Sequence, residues 1–169
     1  MFDADTHELI RSGTISKNVS KKKEGDATTA KGDKYPPNKQ GRAVAVSLKH
    51  QHLVVCSNFG KTSIRSLVDF DKKIISLKNA KEWSQCAAYS PDETMLAIGS
   101  HDCHVYIYKI DDEGKYSFYC QFKGSTSFIT ALDWSADSKF IRTNDGAHEL
   151  LFYSIEDKSQ DTHGSTTER

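Results

Sequence analysis

The sequence predicts an all-β fold built from repeated units of three or four strands, and three observations carry that expectation. From residue 43 onward, short runs rich in Val, Ile, Tyr and Phe alternate with polar turns. No segment places apolar residues at i, i+3, i+4 and i+7 over the length a helix requires. The chain also repeats itself. Ala88-Tyr89-Ser90-Pro91-Asp92 lies over Asp133-Trp134-Ser135-Ala136-Asp137, and the register then holds without a gap. Met95-Leu96 falls on Phe140-Ile141, and Val105-Tyr106-Ile107-Tyr108 falls on Leu150-Leu151-Phe152-Tyr153, an offset of 45 residues. A fainter copy lies 43 residues upstream, in Val44-Ala45-Val46-Ser47, Leu53-Val54-Val55 and Thr62-Ser63-Ile64.

A period near 43–45 residues with three or four strands per unit is the spacing of WD-type β-propeller blades. An all-β sandwich also spaces strands at short intervals, but it does not require an ungapped internal offset. Within one unit each element has a physical reason. Strand a, residues 85–90, ends in a Ser-Pro-Asp-Glu turn, where Pro91 presets φ and Asp92 can bond its own backbone. Strand b, residues 95–100, is nearly all apolar, as an inner strand covered on both faces must be. A hairpin at His101-Asp102 leads into strand c, residues 104–109, and strand d, residues 116–122, alternates as an outer edge strand does.

The blades assign to residues 41–80, 81–123 and 124–155, the last without a clear strand d. Residues 1–15 read as the end of a preceding blade, with Phe2 to Ile10 as the end of a strand c, a turn and a strand d. Residues 156–169 read as a disordered polar tail. About three blades cannot close a ring that needs at least four, so the chain reads as an incomplete ring or a fragment. Residues 16–40 differ in kind. They carry Lys17, Lys21, Lys22, Lys23, Lys31, Lys34 and Lys39 against Glu24, Asp26 and Asp33, with almost no apolar content, and read as a flexible loop.

Composition narrows the function classes. The 169 residues are 37% hydrophobic and 27% charged, and the formal net charge is zero. That balance argues against a surface built throughout for nucleic acid. No apolar run approaches the ~20 residues of a membrane helix, and Met1 to Ile10 lack the apolar core of a secretory signal. Cys56, Cys86, Cys103 and Cys120 lack CxxC spacing and, with no export signal, read as reduced, packed thiols of a cytosolic protein.

Candidate sites are few. His101, Asp102, Cys103 and His104 contain metal-ligand residue types, but neighbours on a strand point to opposite faces and do not converge on one ion. The favoured reading is structural: Ser100, His101 and Asp102 form a tight turn in which Asp102 caps nearby backbone amides. Ser100 beside His101 and Asp102 is no catalytic triad, since consecutive residues cannot supply its geometry. The sequence holds no Gly-rich phosphate loop, HExxH or G-x-S-x-G, and no cofactor or enzymatic activity is expected. The lysine-rich segment is either a solvated linker or a basic arm, with Lys21, Lys22 and Lys23 as candidate partner-binding residues. No aromatic residues interleave with those lysines, which disfavours single-stranded nucleic acid as their partner.

Two stretches together resemble a known family. Tyr89-Ser90-Pro91-Asp92, Leu96-Ala97-Ile98-Gly99-Ser100-His101-Asp102 and Val105-Tyr106-Ile107-Tyr108 are followed by Ser127-Phe128-Ile129-Thr130-Ala131-Leu132-Asp133-Trp134-Ser135. This combination resembles the second, C-terminal propeller of the echinoderm microtubule-associated protein-like family, well over residues 81–155 and loosely over 41–77. The resemblance implies a non-enzymatic WD-repeat scaffold that associates with tubulin and microtubules, in the cytoplasmic cytoskeleton and the ciliary axoneme. The alternative is a general WD scaffold that binds other proteins through a propeller rim, with no microtubule link. Neither reading includes a nucleic-acid or membrane partner. The sequence departs from the typical WD pattern at Tyr108-Lys109 and Tyr153-Ser154, where Trp-Asp is usual, and at Ser125, where histidine is common. Ala147 stands in the place of Asp102, so the hydrogen-bonded staple of the last blade is expected to be degraded.

Overall fold

A computed structural model describes residues 41–58 and 60–162, and among these there are strands and turns but no helix. The expectations for residues 1–15 and 16–40 fall outside the described residues. Among the described residues, three antiparallel four-stranded sheets follow one another. The first holds β1 (Gly41–Ser47), β2 (His52–Ser57), β3 (Thr62–Ser66) and β4 (Lys73–Leu77). The second holds β5 (Ser84–Tyr89), β6 (Met95–Ser100), β7 (Val105–Ile110) and β8 (Tyr116–Phe122). The third holds β9 (Ile129–Trp134), β10 (Phe140–Asp145), β11 (Leu150–Ser154) and β12 (Ser159–Gln160). Strands adjacent in sequence pair in space, so each sheet is a run of hairpins, the architecture of propeller blades.

One expectation needs correction. The sequence shows no clear strand d in the last blade and reads residues 156–169 as a disordered polar tail. Instead β12 pairs with β11 through Tyr153↔Gln160 and Ser154↔Ser159. The strand is two residues long, polar and exposed. It is held by backbone bonding, including the 2.8 Å bond from Asp161 N to Phe152 O, so no apolar alternation announces it. Residues 163–169 lie outside the described residues.

The sheets stack face to face, and their first strands converge: β1 lies against β5, and β5 against β9. Two apolar layers result. Leu96, Ile98, Tyr106 and Tyr108 of the second sheet meet Val54, Cys56 and Ile64 of the first. On the opposite face Ala97, Val105, Ile107 and Phe122 meet Ile129, Trp134, Ile141 and Tyr153 of the third. Successive residues of β6 therefore alternate between two cores, which is why that strand reads as a continuous apolar run. Directional contacts add to the packing. The Phe122 and Tyr153 rings stack at 4.6 Å, and the Trp134 indole donates to Ala88 O at 3.1 Å across the sheet boundary. The outward faces of the first and third sheets contrast with this, leaving Val44 63% exposed and Arg142 paired with Asp133 at the surface.

The internal repeat extends to backbone detail. The pairing of each first strand with its neighbour slips by one residue near its start, at residues 42–43, at Gln85 and at Thr130. Such a bulge bends the strand and re-aims a side chain. The turn between strands b and c carries a left-handed residue at one repeat position: Gly60 (φ 65°), Cys103 (φ 65°) and His148 (φ 64°). All four cysteines are free, and burial pushes the thiols of Cys56 and Cys86 up to about 11 and about 12. Burial thus keeps the Cys56 and Cys86 thiols protonated at neutral pH.

Leu96 is fully buried between the first two sheets. Leu96→Ala is expected to lower unfolding stability by about 2–5 kcal/mol, measured by urea denaturation. A loss within the range of an exposed substitution would show that the two sheets do not pack as described.

Candidate interaction surface

The turns of each sheet gather on two rims. On one lie the turns between strands a and b and between c and d. There the Ser90 hydroxyl donates to Asp92 Oδ1 at 2.6 Å and accepts Met95 N at 3.0 Å. Ser135, Asp137 and Phe140 repeat the arrangement at 2.6 and 2.9 Å. Lys49 stands where that aspartate would be in the first sheet, and Glu93 of the second sheet supplies the missing carboxylate. Its Oε2 accepts the Ser47 hydroxyl at 2.5 Å and Lys49 N at 2.9 Å. The Ser47 bond is the main reason the Glu93 carboxyl is held below its ordinary value. Beside it the Tyr116 hydroxyl bridges His52 Nδ1 at 2.9 Å and Tyr89 at 2.7 Å.

The opposite rim carries the sequence-predicted turn. Ser100 is fully buried at the end of β6, and its hydroxyl accepts Asp102 N at 3.3 Å. The Asp102 carboxylate reaches farther than a local cap. Its Oδ2 accepts Lys81 N at 2.8 Å, from the segment entering the sheet, and the Tyr106 hydroxyl at 2.7 Å. Asp102 therefore ties the b–c hairpin to the approach to strand a, while the local amide goes to Ser100. Burial pushes its carboxyl up, but the bonds from Lys81, Tyr106 and Ser100 outweigh this and hold it below the ordinary value.

The last blade rebuilds this tie from another position. Ala147 replaces Asp102 as the sequence indicates, but Asp145, at the repeat position of Ser100, takes over. Its Oδ1 accepts Ala147 N at 3.0 Å and Glu149 N at 2.9 Å, and its Oδ2 accepts the Ser125 hydroxyl at 2.6 Å. The staple is relocated, with Ser125 standing where histidine is common.

His101 lies at the centre of this rim. Its N–H donates to Trp83 O at 2.8 Å, and its ring sits between those of Trp83 (4.9 Å) and Phe128 (4.7 Å). Trp83 and Phe128 occupy one repeat position, each just before a strand a, and each carbonyl accepts an N–H from the residue after strand b: His101 in one sheet, Gly146 in the next. A Cβ at Gly146 would come within 2.5 Å of the Phe128 ring, so a larger residue there would displace the ring. Arg42, at the bulge in β1, extends the row with its guanidinium 4.2 Å above the Trp83 ring. Sequence reading singled out His101 but missed Arg42, Trp83 and Phe128. The signal was present, since Trp83 and Phe128 are one repeat apart.

The four-residue stretch His101–His104 does not converge on an ion. His104 Nδ1 lies against Asp102 O and 3.5 Å from Asp102 Oδ1, while the Cys103 thiol turns to His101 O. Among the described residues no group of three or more His, Cys, Asp or Glu is placed to hold a metal ion. Lys21, Lys22 and Lys23 lie outside the described residues.

A family model described as the echinoderm microtubule-associated protein second beta-propeller matches residues 5–169. The chain belongs to that family. This family member is 46% identical over 134 residues to the ciliary WD repeat-containing protein ctxp80 of Euplotoides octocarinatus, covering 78% of the chain and 18% of that protein. It is 46% identical over 76 residues to the 77 kDa echinoderm microtubule-associated protein of Strongylocentrotus purpuratus, covering 44% of the chain and 11% of that protein. It is 48% identical over 68 residues to the human echinoderm microtubule-associated protein-like 4, covering 40% of the chain and 7% of that protein. The chain thus spans a small part of the length of each of these relatives.

A carboxyl held below its ordinary value stabilises the fold at neutral pH, and that contribution is lost as pH falls through 3.8 toward the depressed value. Asp102→Asn is therefore expected to cost about 1–3 kcal/mol at pH 7. The gap between variant and parent should narrow below pH 3.8, read from urea unfolding midpoints across pH. A gap that stays constant with pH would show that Asp102 does not act through its charge.

Proposed function

We propose that this chain is part of a non-enzymatic WD-repeat scaffold that associates with microtubules in the cytoplasmic cytoskeleton, including the ciliary axoneme. The observation that carries the reading is the family match over residues 5–169, together with the 46% identity to a ciliary WD-repeat protein over 78% of the chain. Rigid stacked sheets with rim turns tied by Asp102 and Asp145 suit a binding platform, because positioned side chains lose little freedom on contact. Lys21, Lys22 and Lys23 would add long-range attraction to an acidic polymer surface, screened by salt. Neither a cofactor nor a nucleic-acid or membrane partner forms part of this reading.

A second reading, a general protein-binding scaffold, is favoured by one observation: Trp83 and Phe128, on the b–c rim, are 40% and 41% exposed. Co-sedimentation with polymerised microtubules across a salt series separates the two. The microtubule reading expects binding at low salt that weakens as salt rises. Changing Lys21, Lys22 and Lys23 to Gln should reduce that binding and flatten its salt dependence. Absence of co-sedimentation at low salt by a folded chain would reject direct binding and leave the general scaffold.

A further inference from the structure

The row formed by Arg42, Trp83, His101 and Phe128 crosses the three described sheets on one rim and lies outside the two apolar layers. Trp83 and Phe128 are half-exposed, whereas the residues of the two apolar layers are buried. The rings stand at a fixed spacing because the repeat places them. Each is pinned through its own carbonyl by the neighbouring b–c turn, and His101 fills the interval between them. One aromatic face already holds a guanidinium, that of Arg42. The electrostatic setting favours a cation as well. Glu82 precedes Trp83, and Glu149 is held at the rim by the Thr126 hydroxyl. After burial, the charges that raise the Cys103 thiol at the hairpin tip are those of Asp102, Glu82 and Asp145, all carboxylates.

We propose that this row is a docking surface for an arginine-bearing segment of a partner protein, whose guanidinium packs against the exposed rings of Trp83 and Phe128 beside Glu82 and Glu149. The planar guanidinium suits stacking on a ring and pairing with carboxylates at once, which a lysine ammonium does less well. Arg42 is then an internal competitor for the Trp83 face. Its position in a bulge, at the edge of the row, lets it swing away without disturbing the apolar layers.

The probe is a blocked Gly-Arg-Gly-Arg-Gly peptide, titrated into the full chain at low salt. The reporter is the fluorescence of Trp83, since the other tryptophan, Trp134, is buried. Saturable binding by the arginine peptide is expected, with weaker binding by its lysine analogue and none by its citrulline analogue. Phe128→Ala should weaken binding by about tenfold. Gly146→Ala should weaken it similarly by displacing the Phe128 ring without altering charge, and Arg42→Ala should strengthen it a few-fold. Folding of each variant is checked by circular dichroism, and if Phe128→Ala unfolds, Gly146→Ala and Arg42→Ala decide.

Three results would overturn the proposal. The first is no saturable binding of the arginine peptide. The second is equal binding of the citrulline peptide. The third is an affinity unchanged in both Gly146→Ala and Arg42→Ala. A rise in affinity when Lys21, Lys22 and Lys23 are changed to Gln, larger than that from Arg42→Ala, would instead make the chain's own lysines the occupant. Each readout is independent of microtubule binding, so this inference and the proposed function can fail separately.

Discussion

Burial of both faces of one sheet governs the rest of the molecule. The β5–β8 sheet presents Leu96, Ile98, Tyr106 and Tyr108 to one neighbour and Ala97, Val105, Ile107 and Phe122 to the other. A sheet in that position has little solvent face on which to place charge, so its inner strands are almost wholly apolar, with Lys109 near the end of β7 the exposed exception. The outer strands escape the constraint gradually, as β8 shows with Phe118 half-exposed beside buried Cys120 and Phe122. Once the middle sheet is fixed, both neighbours are placed against it. The turns of all three sheets then fall onto common rims.

At those rims the holding groups are carboxylates, and they are not confined to one repeat position. Asp102 closes the second sheet from within the hairpin, and Asp145 closes the third from the last residue of β10. The two sites are two residues apart in the repeat, yet each joins its hairpin to the segment leading into strand a. What is preserved is the bond across that gap, and side-chain reach allows two solutions. Because that bond positions the hairpin, it also positions His101 and the rings beside it. The stability of the rim and its exposed chemistry are therefore linked through the same few residues.

Much of the fold was legible because a propeller blade writes its period into the sequence. The 45-residue offset located strands a, b and c of the second and third sheets to within a residue or so, from Met95–Ser100 to Leu150–Ser154. It failed at β12, where Ser159 and Gln160 carry no apolar signal and backbone pairing with β11 makes the strand. The site was less legible. Asp102 was expected to cap nearby backbone amides, but Lys81 N, which its carboxylate accepts, lies 21 residues away, and no local motif connects the two. The aromatic row was hidden for a related reason. Trp83 and Phe128 sit outside the strands, where periodicity is not sought, and Arg42 reaches Trp83 only through the bulge.

The Glu93 bond to Ser47 bears on how such a chain can change over evolutionary time. Blades are often treated as interchangeable modules that duplicate, move or drop out. Here the first a–b turn lacks its own aspartate and borrows a carboxylate from the blade that follows. Moving the first blade elsewhere in the ring would leave the Ser47 hydroxyl and the Lys49 amide without their acceptor. Inserting a new blade after it would do the same, unless the newcomer carried a glutamate at the matching turn. Blade order at this junction is thus recorded in a side chain, and recombination there would have to move two repeats together.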